Sequence, residues 1–290
     1  MKIIPLAFDS LGTRSMATYV ETCDLKVVID PAVSLAAIKS GLPPHPIELE
    51  RESQHWEVIK KYAEKAQVLI VTHYHYDHHN PSEPEVYRDK ITFVKHPTSN
   101  INKSQQTRAV EFLDIIKGIP KELNYSDGKE FQLGKTKITF SQAVPHGNID
   151  RLGYVTEVSI TDGSYKLIHT SDIEGGNLDC QIEFILKENP DMVIFDGPMT
   201  YPFQNIIPNM LRIIKETKVK DFIIDHHYLR NLKWRDKLKE PINTASNLNK
   251  RLICAAEFLG QKEDLLEANR KRLYKQFPEM YSGQLSTISF

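Results

Sequence analysis

Short apolar runs alternate with longer polar segments along the whole chain. The apolar runs are rich in β-branched side chains and end at turn residues, a pattern typical of buried strands. We predict strands over residues 26–30, 67–72, 91–94, 137–141, 166–170, 191–195 and 221–224.

Between these runs, longer segments repeat apolar side chains at helical spacing. The predicted helices cover residues 47–65, 104–117, 205–217, 243–259 and 263–277. In the second of them, Val110, Leu113 and Ile116 fall on one side. Strands mixed with helices from end to end indicate an α/β layered architecture. We expect a single domain over residues 1–290, with a helical C-terminal extension from about residue 243.

Polar side chains capable of binding metal stand directly after several predicted strands. Asp30, His73, Asp172 and His226 each close or follow an apolar run. Residues at such positions are held by a rigid scaffold and still reach the surface, and ligand sites gather at strand ends. This repetition is hard to explain by packing alone and predicts a site at one edge of the fold.

Composition and charge exclude several classes of protein. Hydrophobic residues make up 40% and charged residues 26% of the 290, which is ordinary for a globular protein and excludes intrinsic disorder. The 37 Lys and Arg residues nearly balance the 38 Asp and Glu residues, giving a net charge of −1. This balance disfavours a binder of long nucleic acid, which would be clearly basic.

Cysteine usage and the N-terminus indicate a cytoplasmic protein. The three cysteines, Cys23, Cys180 and Cys254, stand far apart and do not suggest a disulfide scaffold. Pro5 and Asp9 interrupt the N-terminal apolar run, which therefore does not resemble a signal peptide. No stretch approaches the roughly 20 apolar residues of a membrane span, so we expect no membrane association.

The strongest chemical signal is the sequence THYHYDHHN at residues 72–80. In an extended backbone His73, His75 and Asp77 would point to the same side, and a turn could bring His78 round to a second position. Imidazole and carboxylate ligands together suit zinc and similar divalent metals. The alternative is a polar surface loop, which so many histidines directly after an apolar strand disfavour.

The pattern His-x-His-x-Asp-His after a strand resembles the metallo-β-lactamase superfamily. This resemblance implies a four-layer αββα sandwich with a metal site along one edge. Four further positions agree with it in the family's order: Asp30 in VVIDP, His146 in AVPHGN, Asp172 in IHTSDIEG and His226 in FIIDHHYLR.

The resemblance also implies a ligand set for two divalent cations. His73, His75 and His146 would bind the first cation, Asp77, His78 and His226 the second, and Asp172 would bridge both. We expect Zn²⁺, with Mn²⁺ and iron as alternatives. His75 stands where the superfamily's di-iron redox branch has glutamate, which favours hydrolytic zinc chemistry over electron transfer.

Four further residues are expected to support the ligands. The resemblance gives Asp30 a supporting role, through hydrogen bonds to the histidine loop. His79 is either an additional pocket residue or a neighbour that hydrogen-bonds a ligand, and His169 is either a core histidine or a donor to a ligand. We prefer His226 to His227 as the last ligand because it follows the strand directly, so that His227 would face the other way in an extended chain.

The function that the resemblance implies is hydrolysis by a hydroxide that bridges the metals. Asp77, besides binding metal, would accept or shuttle a proton. Phosphoesters and phosphodiesters are the preferred substrate class because anionic oxygens suit two cations. An ester, lactone or thioester hydrolase is the alternative, as are a metal-stabilised binding protein without turnover and an iron-loaded oxidative enzyme.

Substrate contacts and family branch are less defined by the sequence. Lys103, Arg108, Asn148 and Arg151 are candidates for binding a small molecule or a short oligonucleotide, although Lys103 and Arg108 also fit a solvated face. The 54 residues between Asp172 and His226 are too few for the superfamily's large nuclease insertion. The phrase at residues 191–201 loosely resembles the tRNA-processing branch. The whole pattern is most similar to an uncharacterised archaeal branch of predicted metal-dependent hydrolases, and the oligomeric state stays open.

Overall fold

A computed structural model of the chain describes residues 1–198 and 205–278. Six strands form the first sheet, in the order β1-β2-β3-β4-β5-β6. These strands are β1 (Lys2–Phe8), β2 (Met16–Glu21), β3 (Lys26–Ile29), β4 (Val68–Val71), β5 (Ile91–Val94) and β6 (Glu122–Tyr125). Strand β2 is antiparallel to both β1 and β3, and β3 to β6 run parallel. Strands β1 and β3 therefore end at the same edge of the sheet as β4.

The remaining strands are, in chain order, β7 (Glu130–Leu133), β8 (Thr136–Phe140), β9 (Val144–Pro145), β10 (Tyr154–Val155), β11 (Val158–Asp162), β12 (Tyr165–His169), β13 (Met192–Asp196), β14 (Asp221–Asp225) and β15 (Arg251–Ile253). The short strands β9 and β10 pair with each other. The other seven form the second sheet, in the order β15-β14-β13-β12-β11-β8-β7, with β12 to β15 parallel.

Helices connect most of the parallel strands, whose pairing requires a long crossover, while β4 and β5 are joined by a loop with one 3₁₀ turn at Pro84–Tyr87. The helices are α1 (Pro46–Lys65), α2 (Lys103–Ile115), α3 (Glu183–Glu188), α4 (Ile206–Glu216), α5 (Trp234–Lys237), α6 (Lys239–Asn247), α7 (Ala255–Phe258) and α8 (Leu266–Gln276). Local chemistry fixes where two of them begin. The ring of His45 accepts a hydrogen bond from the backbone at the start of α1, and Asn102 caps α2 in the same way.

Alternation along the strands produces the layers. In β3, Val27 and Ile29 belong to an apolar cluster that also contains the second sheet and helix α4, whereas Val28 belongs to a cluster with α1 and α2. Because successive strand residues face opposite ways, the first sheet lies between the helices α1 and α2 and the second sheet. The fold is the predicted αββα sandwich.

Two expectations about helices are wrong in detail. Residues 243–259 do not form one helix, because β15 (Arg251–Ile253) lies between α6 and α7 and pairs in parallel with β14. The apolar side of α2 is also only partly as predicted: Ile116 is buried, but Ala109 and Phe112 take the places expected for Val110 and Leu113, and Val110 is 57% exposed. Apolar spacing alone did not separate a short edge strand from the helices that flank it.

Some expectations lie partly outside the residues that the structure describes. These are the end of the 191–201 phrase and the last part of the C-terminal extension. Over residues 1–198 and 205–278, none of the helices has both the length and the apolar character that a membrane span needs.

Candidate metal centre

The candidate centre lies where the ends of strands from both sheets meet. Asp30 follows β3 and His73 follows β4 in the first sheet, whereas Asp172 and His226 follow β12 and β14 in the second. His146 comes directly after the short strand β9. All five side chains are buried, with exposures of 0–2%. Five ionisable groups are therefore shielded from water at this one edge.

A tight turn shapes the histidine loop that follows β4. The backbone N–H groups of His78 and His79 both donate to the carbonyl of His75, at 3.0 and 3.2 Å. The chain already bends at residues 73–75, so the expectation that Asp77 points to the same side as His73 and His75 is wrong, and Asp77 lies with the second position. The turn over residues 76–78 brings His78 to that second position as well. The sequence predicted this change of direction.

Three imidazoles form what we call the first group: His73, His75 and His146. Their ring centroids lie 4.6 to 5.4 Å apart. Ligand atoms of these three histidines and of Asp172 all lie within 4.8 Å of one another. The first group therefore converges on one point together with the carboxylate of Asp172.

A second group consists of Asp77, His78 and His226. The Nε2 atom of His226 lies 3.5 Å from Oδ2 of Asp77, and Nε2 of His78 lies 4.0 Å from Oδ1 of Asp77. With Asp172, ligand atoms of this group again lie within 4.8 Å of one another.

Asp172 joins the two groups with different oxygens. Its Oδ2 lies 3.6 Å from Nε2 of His73 and 3.2 Å from Nε2 of His146. Its Oδ1 lies 3.1 Å from Nε2 of His78 and 3.5 Å from Nε2 of His226. A carboxylate arranged in this way can bridge two cations.

Several atoms that face this centre have no hydrogen-bond partner. The Nε2 atoms of His73 and His78 and the Oδ1 atom of Asp172 are fully buried and make no hydrogen bond. Buried polar groups are rarely left unpaired in folded proteins. The donor set therefore fits metal ions, because nitrogen and carboxylate ligands around a cation would satisfy all three atoms.

Burial keeps the first two histidines of the loop uncharged. Shielding from water lowers the pKa of His73 well below its ordinary value, and neighbouring imidazoles add to the effect. The pKa of His75 falls to about 3, first through burial and then through His146. Neutral imidazole is the form that binds metal.

Carboxylates reverse this effect at His78. Burial opposes its charge, but Asp172 and Asp30 together raise its pKa well above the ordinary value. Burial likewise disfavours the ionised form of Asp172, yet His78 and His226 lower the pKa of Asp172 well below its usual range. The charges at the centre are thus mutually dependent, which is typical of functional sites.

Asp30 contacts the histidine loop as the resemblance implied. Its Oδ2 accepts a hydrogen bond from Nδ1 of His78 at 2.8 Å, and its two oxygens accept from the N–H and hydroxyl of Thr72 at 2.8 and 2.7 Å. The bond to Nδ1 directs Nε2 of His78 at the centre, the usual arrangement behind a metal-binding histidine.

The backbone is strained at three of these strand ends. Asp30, Ser171 and His226 have φ angles of 51°, 57° and 62°. Such left-handed conformations cost about 1 kcal/mol or more for residues other than glycine and gather at functional sites. Here they turn the chain immediately after β3, β12 and β14, so that the side chains face the centre.

His79 and His169 contact backbone rather than the centre. Nδ1 of His79 hydrogen-bonds the carbonyl of His75 at 2.9 Å, and its ring packs against Phe112. Nε2 of His169 donates to the carbonyl of Met16 in the first sheet at 2.9 Å. Both are buried; His79 steadies the ligand loop, and His169 ties the two sheets together.

His227 lies beside the centre but is held by another carboxylate. Its Nδ1 hydrogen-bonds Asp196 at 2.9 Å, and its ring centroid is 5.7 Å from that of His146. His226, by contrast, directs Nε2 at Asp77 and Asp172. The choice of His226 over His227 as the last ligand stays a prediction, because ligand atoms of His227, Asp172 and Asp196 also lie within 4.8 Å of one another.

The four candidate substrate contacts occupy different surroundings. Arg108 lies against the ligand loop, with its guanidinium 4.7 Å from the ring centroid of Tyr76. Lys103 is exposed, and Asn148 accepts a hydrogen bond from Asn177. The backbone carbonyl of Arg151 accepts from Asn102 at 2.7 Å. Contact with a substrate stays a prediction for all four.

Sequence reasoning missed Asp9, Glu174, Asp196 and Arg230. Asp9 follows β1 and accepts from Nδ1 of His226 at 2.8 Å. Asp196 ends β13 and holds His227, and Glu174 lies 3.4 Å from Nδ1 of His146. Asp196 follows a predicted strand and carries the same signal that identified Asp30, so applying that signal to every predicted strand would have found it, whereas Asp9 follows β1, which was not predicted.

Known proteins with similar sequences identify the family. No family model matches the chain. A UPF0282 protein of Korarchaeum cryptofilum is 45% identical over 288 residues, which cover 96% of each chain. A UPF0282 protein of Metallosphaera sedula is 45% identical over 289 residues, covering 95% of this chain and 93% of that one. The chain belongs to the UPF0282 family.

Solved structures show the fold of this family member. The metallo-β-lactamase fold protein YhfI from Bacillus subtilis is similar with a TM-score of 0.55 and 17% identity, covering 90% of this chain and 96% of that one. Igni18, a metallo hydrolase from Ignicoccus hospitalis, is similar with a TM-score of 0.51 and 14% identity, covering 87% and 93%. The predicted metallo-β-lactamase fold and the link to an archaeal branch are confirmed.

Proposed function

We propose that the chain is a hydrolase that uses two divalent cations, preferably Zn²⁺, and acts on phosphoesters or phosphodiesters. The observation that carries this proposal is the geometry of Asp172, whose two oxygens each face a different group of histidines. A carboxylate that only stabilised the fold would have no reason to leave Oδ1 buried and without a hydrogen bond.

The proposed ligands are the two groups together with Asp172. Imidazole nitrogen and carboxylate oxygen are the ligands of catalytic zinc sites. When bound, the cations supply Lewis acidity and lower the pKa of water enough to provide a nucleophile at neutral pH. Asp30 behind His78 and Asp9 behind His226 orient the rings towards the cations.

Asp77 is the ligand placed best to exchange a proton. Its side chain is 16% exposed, whereas those of His78 and His226 are fully buried. Burial opposes its ionised form, but His78 and His226 lower the pKa of Asp77 below the ordinary value. The lowered pKa keeps this carboxylate ionised but also makes it a weak base, so Asp77 would act chiefly as a ligand and only secondarily relay a proton at the solvent side of the centre.

The charges around the ligand loop support an anionic substrate. Arg108 is half-buried, and its guanidinium stacks on Tyr76, which stands between the ligands His75 and Asp77. Guanidinium groups bind phosphate oxygens with particular strength. A small molecule or a short oligonucleotide fits this proposal better than long nucleic acid, given a net charge of −1.

Metal analysis and a substrate panel test the proposal. Purified protein should hold about two metal ions per chain and should hydrolyse bis(p-nitrophenyl) phosphate with Zn²⁺ or Mn²⁺. As a control, His96→Ala should change neither metal content nor turnover. This histidine hydrogen-bonds Thr98 and packs against Tyr125, away from the centre.

The same panel separates the other functions. Turnover of p-nitrophenyl acetate or lactones alone would replace the phosphoester class with the ester class. Full metal content without turnover of any substrate would identify a binding protein, and iron instead of zinc would favour oxidative chemistry. Absence of bound metal would remove the proposal altogether.

A further inference from the structure

An arginine whose side chain is largely shielded from solvent lies against the second group. Arg230 is at the end of the 3₁₀ turn His226–Arg230, and its side chain is 8% exposed. Its Nη2 lies 3.1 Å from Nε2 of His226 and 4.0 Å from Oδ2 of Asp77. These are the two atoms that the second cation would need.

Asp9 fixes the guanidinium in this place. Its Oδ1 accepts from Nε of Arg230 at 2.9 Å, while its Oδ2 accepts from Nδ1 of His226 at 2.8 Å. The carboxylate of Asp9 therefore holds both the imidazole of His226 and the guanidinium of Arg230, which lies in front of Nε2 of that imidazole.

The first group has no such competitor within the residues described. The ligand atoms of His73, His75 and His146 face one another and Asp172, and Nε2 of His73 is buried without a hydrogen bond. An arginine side chain cannot lose its proton in a protein. Its charge near His226 and Asp77 therefore opposes a second cation at any pH at which the fold is intact.

We propose that Arg230 competes with the second cation for His226 and Asp77, so that the two metal positions fill in order. This proposal rests on the metal centre of the proposed function and adds that its halves are unequal. The first cation binds at His73, His75, His146 and Asp172. The second binds only when the guanidinium of Arg230 moves away from Nε2 of His226, and it then carries the cost of a second positive charge that Asp9 holds nearby.

Zinc titration against a chelator of known affinity tests this proposal without an activity measurement. We expect the wild-type protein to bind zinc in two resolved steps. Arg230→Met should tighten the second step by roughly a hundredfold and leave the first unchanged, because a unit charge is removed beside one position only. Arg230→Lys, which retains the charge, should keep the two steps separate.

Arg235→Met is the matched control. Arg235 pairs with Glu257 and Glu263 on the surface, so its removal takes away the same charge at a distance from the centre. It should leave both binding steps as they are in the wild type.

Two results would overturn the proposal. Equal affinity of the two positions in the wild type would contradict ordered filling while leaving the dinuclear hydrolase intact, and this result needs no variant to fold. A second step that moves less than about threefold in a folded Arg230→Met protein would contradict competition. If the wild type binds no zinc at all, the proposed function fails together with this inference.

Discussion

The two halves of the metal centre differ in what lies behind their ligands. In the first group, Nδ1 of His73 lies 3.2 Å from the hydroxyl of Ser171, and Nδ1 of His146 lies 3.4 Å from Glu174. In the second group, both imidazoles have a carboxylate at 2.8 Å, Asp30 behind His78 and Asp9 behind His226.

This difference shows that one shared carboxylate does not make two equal positions. The first group combines two imidazoles that burial keeps neutral, His73 and His75, with His146, whose pKa Asp172 and Glu174 raise to about 9 against the effect of burial. The second is a tightly hydrogen-bonded set of charges that includes Arg230 as well as Asp77. Ligand identity alone would not distinguish the two, because each group offers histidine nitrogens and the oxygens of Asp172.

Removal of Asp172 should have the largest effect because it acts on both halves at once. In Asp172→Asn, we expect kcat/KM to fall by about a thousandfold or more, with metal lost from both positions. Kinetics and elemental analysis measure these effects. Asp179→Asn, a change at an exposed aspartate paired with Arg212, should leave both unchanged. Loss of metal from one position only would show that Asp172 does not join the two halves.

Removal of the supporting groups should affect the halves unequally. Asp30→Asn should weaken zinc binding at the second position by about 10- to 100-fold, because the carboxylate that orients His78 is lost. Ser171→Ala should weaken the first position by less than about tenfold, since a hydroxyl supports His73 less strongly. Chelator titrations of both variants measure these affinities. If Asp30→Asn and Ser171→Ala lower zinc affinity by the same factor, the predicted difference between the two halves is wrong.

The pH dependence of stability should separate His75 of the first group from His78 of the second in the metal-free protein. The pKa of His75 is lowered to about 3, so the folded state binds fewer protons than the unfolded state below pH 6.5, and stability falls as the pH drops from there. The pKa of His78 is raised, so its contribution is complete below pH 6.5 and is lost as the pH rises through its folded pKa.

Single substitutions should expose these two opposite slopes. Between pH 7 and 5, His75→Gln should remove about 2 kcal/mol of the wild-type loss of stability. His78→Gln should instead reduce the loss of stability that the wild type shows as the pH rises through the folded pKa of His78. Denaturant unfolding of the metal-free variants measures both slopes, and the same sign for His75 and His78 would contradict the assigned protonation states.

Much of the centre could be predicted because its residues follow apolar strands. The runs before Asp30, His73, Asp172 and His226 are strongly β-forming, and the turn after His75 is short. It was their position directly after strands, rather than their residue types alone, that predicted that these side chains lie at the same edge of the fold. The supporting role of Asp30 came from family resemblance and agrees with its bond to His78.

What could not be predicted depends on long-range packing. β1 contains Pro5 within its apolar run, so we did not predict it as a strand, and Asp9 at its end was therefore missed. Arg230 contacts His226 only because the chain forms a 3₁₀ turn after β14. β15 was not predicted, because three residues are too few to show the alternation of apolar and polar side chains that identifies a strand.

The most direct test of the central claim is anomalous diffraction at the zinc absorption edge from crystals saturated with zinc. Two peaks on opposite sides of Asp172 are predicted, one bound by Oδ2 with the first group and the other by Oδ1 with the second. A single peak at full saturation, or peaks that Asp172 does not contact, would contradict the account.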